Sequence, residues 1–380
     1  MPALLPDVDP DGLLEYSVVY TDRALNHMSR RFGAVMRDID AILREAHGAE
    51  ATAVVPGSGT FGMEAVARQL AGGRVCLVVR NGWFSYRWSQ IFEMGRIPAR
   101  EVVLQARPLG TGAQAAWVPP PLAEVVEAIG RERPALVFAP HVETASGLLL
   151  SDDYLRALAD AVHAVGGLFV LDGIASGAVW VDMPGCGVDV LVSAPQKGWS
   201  GSPGCAFVLL SARARRAVEA SASSSFACDL KKWLAMMDSY KAGAYGYHTT
   251  MPTDALARTR DAMAQTRAAG FALLRERQFE LGRRVRALLE AAGLPSVAAP
   301  GWPAPGVVVS HTTHPGLASA QAFAAQGLQT AAGVPLQCGE GADWRTFRIG
   351  LFGLDKLLDV ERTVGHLAAA LPRALAEPAA

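Results

Sequence analysis

The chain has 380 residues, of which 51% are hydrophobic and 19% charged, and its 35 basic side chains nearly cancel 36 acidic ones to leave a formal net charge of -1. That length supports one large domain and a smaller one, each with its own core, and the balanced charge excludes a field that would draw the protein onto nucleic acid or an anionic membrane. Small molecules and a second copy of the chain are the expected partners.

The first residues, MPALLPDVDPDGLLEY, lack a basic region followed by an apolar one, and no apolar run reaches the roughly 18 residues of a membrane span. A cytoplasmic location is expected. From about residue 35 to 255, short apolar runs alternate with helical patterns: ATAVVP at 51, RVCLVV at 74, ALVFAP at 135, GLFVLD at 167, VDVLVS at 188 and CAFVLL at 205. Runs of this kind, bounded by Gly or Pro and separated by amphipathic stretches such as LADAVHAVGG, predict an α/β fold with a mostly parallel sheet between helices. This large domain is expected over residues 20–255. A smaller α+β domain is expected over 256–380, joined by residues 1–19, with a long helix in FALLRERQFELGRRVRALLEAAG, a strand in PGVVVSHT, a helix in SAQAFAAQGLQ and a strand in TFRIGLFG. The tail LPRALAEPAA reads as frayed. The five cysteines, Cys76, Cys186, Cys205, Cys228 and Cys338, form no CxxC pair, so buried free thiols are expected and neither a disulfide framework nor a metal site.

Two features carry chemistry. VVPGSGTFGMEAVARQL places Gly57, Ser58, Gly59 and Thr60 between a strand and a helix beginning near Gly62, where free N–H groups and hydroxyls suit a phosphate dianion. Plain helix capping is an equal reading of that loop alone, and the absence of GxGxxG and Walker spacings disfavours a dinucleotide or nucleoside triphosphate. Asp172 closes GLFVLD, at the carboxyl end of a parallel strand, where open α/β sheets bind ligands. Lys197 follows the next run, VDVLVSAPQ, so both reach one crevice. Each alone reads more simply as a turn cap and a solvated lysine. Together with the loop, they are what pyridoxal phosphate asks of a protein: an acid that keeps a pyridine nitrogen protonated, a lysine that forms a Schiff base, and a phosphate cradle.

GSGTFGMEA, NGWFSYR, HVETASG, LDGIASGA, SAPQKGWSGSPG, YHTTMP and TFRIGLFG occur in this order. The ordered set resembles the class V group of fold-type I pyridoxal-phosphate-dependent aminotransferases, the group of alanine:glyoxylate, serine:pyruvate and 2-aminoethylphosphonate:pyruvate aminotransferases. The resemblance implies Lys197 as the Schiff-base lysine and proton shuttle, and Asp172 as the partner of the pyridine nitrogen. It implies Ser58, Gly59, Thr60 and Gln196 at the phosphate, and Phe84 stacked on the ring with Trp83 and Tyr86 as neighbours. Thr144 is implied on the phenolic oxygen side. Tyr247 and Thr250 are implied to reach the phosphate of the other subunit in a homodimer, and Arg348 to pair bidentately with the substrate carboxylate. Ser85 stands where the family has Gly. Arg87 and His141 read either as ligands of a second substrate group or, more simply, as a brace and a satisfied buried histidine. The implied activity is a ping-pong transfer of an amino group from a small donor to a small 2-oxo acid such as pyruvate or glyoxylate. A cysteine desulfurase-like lyase using Cys338, and a non-catalytic sensor of the same cofactor, are the alternatives.

Overall fold

Apolar runs too short for a helix and punctuated by Gly or Pro pair into a seven-stranded sheet in the computed structural model, which describes residues 13–376. In chain order the strands are β1 (Ala51–Pro56), β2 (Val75–Arg80), β3 (Arg100–Gln105), β4 (Leu136–Pro140), β5 (Leu168–Asp172), β6 (Val190–Ser193) and β7 (Cys205–Leu210). Across the sheet they run β1-β7-β6-β5-β4-β2-β3. Only β7 is antiparallel to its neighbours; the pairs β6-β5, β5-β4, β4-β2 and β2-β3 are parallel. The carboxyl ends of β1, β2, β4, β5 and β6 therefore share one edge, with Asp172 opposite Pro140 on one side and Val192 on the other.

The central strands β4, β5, β6 and β7 are buried at every residue, which is why they read as unbroken apolar runs rather than as alternation. The strand that the sequence pattern did not reveal is β3, REVVLQ: at the sheet edge it is only half-buried, and its ends are Arg and Gln. Helices cover both faces. Asp152–Ala164 shows the local logic: Ser151 accepts from the Tyr154 N–H, Asp152 and Asp153 occupy the first turn, and Leu155, Leu158, Ala159 and Val162 turn inward.

A three-stranded antiparallel sheet follows, β8 (Val307–His311), β9 (Ala331–Ala332) and β10 (Thr346–Gly350), in the order β8-β10-β9. The long helix Phe271–Ala291 contributes Gln278, fully buried, whose amide donates to the carbonyls of Pro305 and Leu351 and accepts from the Ala178 N–H. One polar side chain thus ties the loop after Asp172 to the segment after β10.

Three details depart from expectation. The phosphate-loop helix begins at Gly59, not near Gly62, with Ser58 as its N-cap. The helix expected in SAQAFAAQGLQ is two single turns, Pro315–Ala318 and Gln321–Ala324, because Ala320 adopts φ 66 and breaks the run. The tail is not frayed over its described part: the helix Val360–Ala376 continues through Pro372, held by the buried Leu371 and Ala374. Among the described residues no helix is long and apolar enough to cross a membrane, and all five cysteines are free and buried.

Candidate active site

Asp172 closes β5 with its carboxylate buried, accepting a hydrogen bond from the Ile174 N–H at 3.0 Å. Burial pushes its pKa up to about 7, and the negative charge of Glu143 adds to the rise, against smaller opposing effects of that hydrogen bond and of Arg87. Lys197 lies in the turn after β6, half-buried, with Nζ 5.3 Å from the centroid of the Phe352 ring and no hydrogen bond or ion pair among the described residues. Burial depresses its pKa, and the positive charge of Arg348 depresses it further. A lysine held this way gives up its proton more readily than a solvated one, as a nucleophilic amine must. The two turns are locked together by backbone contact: a Cβ on Gly198 would lie 2.1 Å from the Gly177 carbonyl oxygen, so only glycine lets the lysine turn approach the loop that follows Asp172.

The loop after β1 differs from ordinary capping. Ser29, Ser151 and Ser211 each cap a helix by accepting a backbone N–H, whereas Ser58 has an extended backbone and makes no side-chain cap. Its hydroxyl and the first N–H groups of the helix Gly59–Leu70 are left for a ligand. Gly59 is buried against Ile174, two residues beyond Asp172; a Cβ there would sit 2.5 Å from the Ile174 Cδ1. Thr60 Oγ1 accepts from Arg87 Nη1 at 3.1 Å. Arg87 is therefore a brace between two segments of the site. Gln196, next to Lys197, is exposed.

The helix Trp83–Gly95 sets the aromatic. Phe84 has the Arg87 guanidinium 5.2 Å from its ring centroid and that of Arg348 at 5.6 Å. Trp83 and Tyr86 pack on one another at 5.9 Å, and Arg80 lies over Tyr86 at 4.6 Å. Of the three aromatics, Phe84 is the one placed beside Arg348. Arg348, on β10, donates from Nε to the Ala332 carbonyl at 2.9 Å, which leaves its terminal nitrogens for another acceptor; burial lowers its pKa and the Glu143 charge works the other way. Thr144 is buried beside Glu143. Tyr247 and Thr250 are exposed, their hydroxyls 3.3 Å apart.

His141 is buried, its N–H bonded to the Asp172 carbonyl and its Nδ1 2.7 Å from Ser176 Oγ; burial depresses the imidazole to about 3, so it is a neutral brace for the end of β5. Cys338 is also buried, with Sγ 3.5 Å from the Arg80 carbonyl oxygen, and burial pushes its thiol up to about 12. A desulfurase needs a mobile, accessible thiolate, and burial of this thiol disfavours the thiolate form. Two residues near the chemistry were missed in the sequence: Glu143, an acid between Val142 and Thr144 in HVETASG, and Phe352, four residues beyond Arg348.

These residues fit pyridoxal phosphate. A buried carboxylate lacking a cationic hydrogen-bond partner matches a protonated pyridine nitrogen, an unpaired half-buried amine matches an aldehyde, and an uncapped helix start matches a phosphate.

No family model matches the chain. Among curated proteins, 2-aminoethylphosphonate–pyruvate transaminase 1 of Burkholderia lata is 31% identical over 357 residues, covering 92% of this chain and 89% of its own. The L-aspartate–glyoxylate aminotransferase of Paracoccus denitrificans is 31% identical over 241 residues, 63% of this chain and 58% of its own. The solved alanine–glyoxylate aminotransferase of Nostoc sp. shares the fold, with TM-score 0.78 at 23% identity over 92% of this chain and 88% of that one. A cysteine desulfurase of Thermococcus onnurineus is more distant, with TM-score 0.64 at 13% identity over 90% and 84%. Likeness at the level of the Burkholderia relative, over nearly the whole of both chains and on this scaffold, is what common descent of an enzyme leaves behind: the chain belongs to the class V pyridoxal-phosphate-dependent aminotransferases of fold type I, and pyridoxal phosphate is its cofactor.

Proposed function

We propose that this aminotransferase moves an amino group from a small amino acid or aminoalkylphosphonate to pyruvate or glyoxylate, as a cytoplasmic homodimer with shared active sites. The observation that carries the reading is the convergence of Asp172, Lys197, Phe84 and Arg348 at the carboxyl ends of the parallel strands and on the facing strand β10. Pyridoxal phosphate, when bound, supplies the electron sink for removal of the donor's α-proton. Asp172 would keep the pyridine nitrogen protonated. Lys197 would hold the cofactor through Nζ, and its amine would carry the proton away from the donor's α-carbon. Arg348 orients the donor by its carboxylate, and Phe84 covers the ring and excludes water. Ser58, Gly59, Thr60 and Gln196 take the phosphate, and Thr144 lies on the phenolic oxygen side.

The donor is identified by titrating the holoenzyme with alanine, serine, aspartate and 2-aminoethylphosphonate while following the cofactor's visible band. The expected result is bleaching by one donor and recovery on adding pyruvate or glyoxylate. A band that no donor bleaches would overturn the reading.

The dimer rests on Tyr247 and Thr250, which are exposed, as are the aromatics Tyr245, Phe226 and Phe61. Such side chains are expected to be covered by a second subunit, each supplying its hydroxyls to the other's phosphate. Mixing Lys197→Ala subunits with subunits carrying Tyr247→Ala and Thr250→Ala should then restore about a quarter of wild-type turnover, since random pairing leaves one intact site in half the dimers. Sites confined to one subunit would restore no turnover, because each subunit in the mixture would then carry a substitution in its own site. Sedimentation of the wild-type protein as a monomer would likewise overturn the shared-site reading.

A further inference from the structure

Glu143 is fully buried three residues beyond the end of β4. Its carboxylate accepts from the Phe84 N–H at 3.3 Å, the Ser85 N–H at 2.9 Å, the Ser85 hydroxyl at 2.7 Å and the Ala145 N–H at 3.0 Å. These donors stabilise the ionised form, while burial pushes its pKa up. Gly82 makes the approach possible: a Cβ there would lie 2.7 Å from the Glu143 Cγ. The Ser85 hydroxyl also accepts from the Asn81 N–H at 2.8 Å, so the residue standing in place of the family's glycine knits the loop instead of loosening it.

Helix starts are ordinarily capped by a neighbouring Ser or Asp, as Ser151 does at Tyr154. An acceptor 58 and 59 residues away in sequence does something a local cap cannot: it fixes the helix start relative to another strand. The same carboxylate is the charge that favours the Arg348 guanidinium, and Arg348 in turn depresses Lys197.

We propose that Glu143 is a positioning residue for transamination, one buried side chain that sets the Phe84 ring through the helix start and, through that ring, the Arg348 guanidinium 5.6 Å from its centroid. This rests on the roles given above to Phe84 and Arg348. Ser85, standing where the resembled family has Gly, is the hydroxyl through which the carboxylate also grips the loop.

The test is Glu143→Gln, which keeps the volume, removes the charge and turns an amide donor toward the Ser85 donors. Titration of apoprotein with pyridoxal phosphate, followed by tryptophan fluorescence, should show affinity weakened about tenfold or more, the loss expected for charge-assisted hydrogen bonds. The KM for the amino donor should rise by a similar factor while kcat falls less, and the circular dichroism of the cofactor band should change as Phe84 tilts. Ser85→Ala, which removes one donor and keeps the charge, should shift all three in the same direction but less. Wild-type affinity, dichroism and KM in Glu143→Gln would overturn the proposal, as would a loss of thermal stability with KM unchanged. If Glu143→Gln does not fold, Glu143→Asp decides: it keeps the charge but withdraws it by one methylene, and an unchanged KM there overturns the proposal equally. Wild-type enzyme that no donor bleaches would instead mean that the functional reading had failed.

Discussion

Lys197→Ala is expected to lower turnover with every amino donor by about 10²- to 10⁴-fold or more, the scale of losing a positioned acid–base group, while the protein still binds its cofactor. The separation follows from the architecture. The phosphate loop and Asp172 belong to β1 and β5 and do not depend on the lysine, so non-covalent binding survives. Lys197 Nζ has no hydrogen-bonding partner among the described residues, and neither the Phe352 ring over which it lies nor the Arg348 guanidinium whose charge acts on it can form a Schiff base in its place. Borohydride reduction of the wild-type holoenzyme should fix the cofactor to the peptide containing Lys197, and the same treatment should leave the variant unlabelled. The depressed pKa gives this prediction a pH signature. Because the neutral amine is the form that attacks the aldehyde, the rate at which the apoprotein captures pyridoxal phosphate covalently should rise with pH through a value below the ordinary 10.5 of lysine. Turnover in Lys197→Ala equal to wild type would mean that another amine serves the cofactor.

Asp172 and Lys197 were legible because each follows an apolar run buried at every position, β5 and β6, and such runs announce themselves without regard to what lies across the sheet. Arg348 and Phe84 were legible only through resemblance; their spacing alone says nothing about the meeting of a helix start with a strand more than two hundred residues later. Glu143 was not legible at all. Its partners are the backbone groups of Phe84 and Ser85, and a buried acid bonded to distant backbone leaves no pattern in its own neighbourhood. The strand β3 escaped for the opposite reason, being exposed enough at the edge to look like a charged connection. Ser58 shows a finer limit: the sequence marks a Ser before a helix, but whether its hydroxyl caps that helix or stays available is decided by an extended backbone that the letters do not carry.

The second large effect is expected at Asp172, where Asn keeps the shape and removes the charge. Taking the anion from a buried ionic pair costs on the order of 3–5 kcal/mol, which would slow turnover about 10²- to 10³-fold if most of it appears in the transition state. A partner-specific signature comes from stability. In the apoprotein, burial raises the folded pKa of Asp172 from 3.8 to about 7, so the folded state binds this proton more tightly than the unfolded state does. The resulting stability is fully present below the unfolded value and is lost as pH rises through the folded one. Asn does not titrate. Between about pH 5 and about pH 8, apo wild type should therefore lose about 2–3 kcal/mol relative to apo Asp172→Asn, as read by urea unfolding. Glu143 titrates in both proteins, so its contribution largely cancels in the difference. Bound cofactor should abolish the slope, because a protonated pyridine nitrogen against the carboxylate keeps Asp172 ionised across the same range. Parallel curves for the two apoproteins would mean that water reaches the carboxylate, and a slope that persists with cofactor bound would mean that the pyridine nitrogen is held elsewhere.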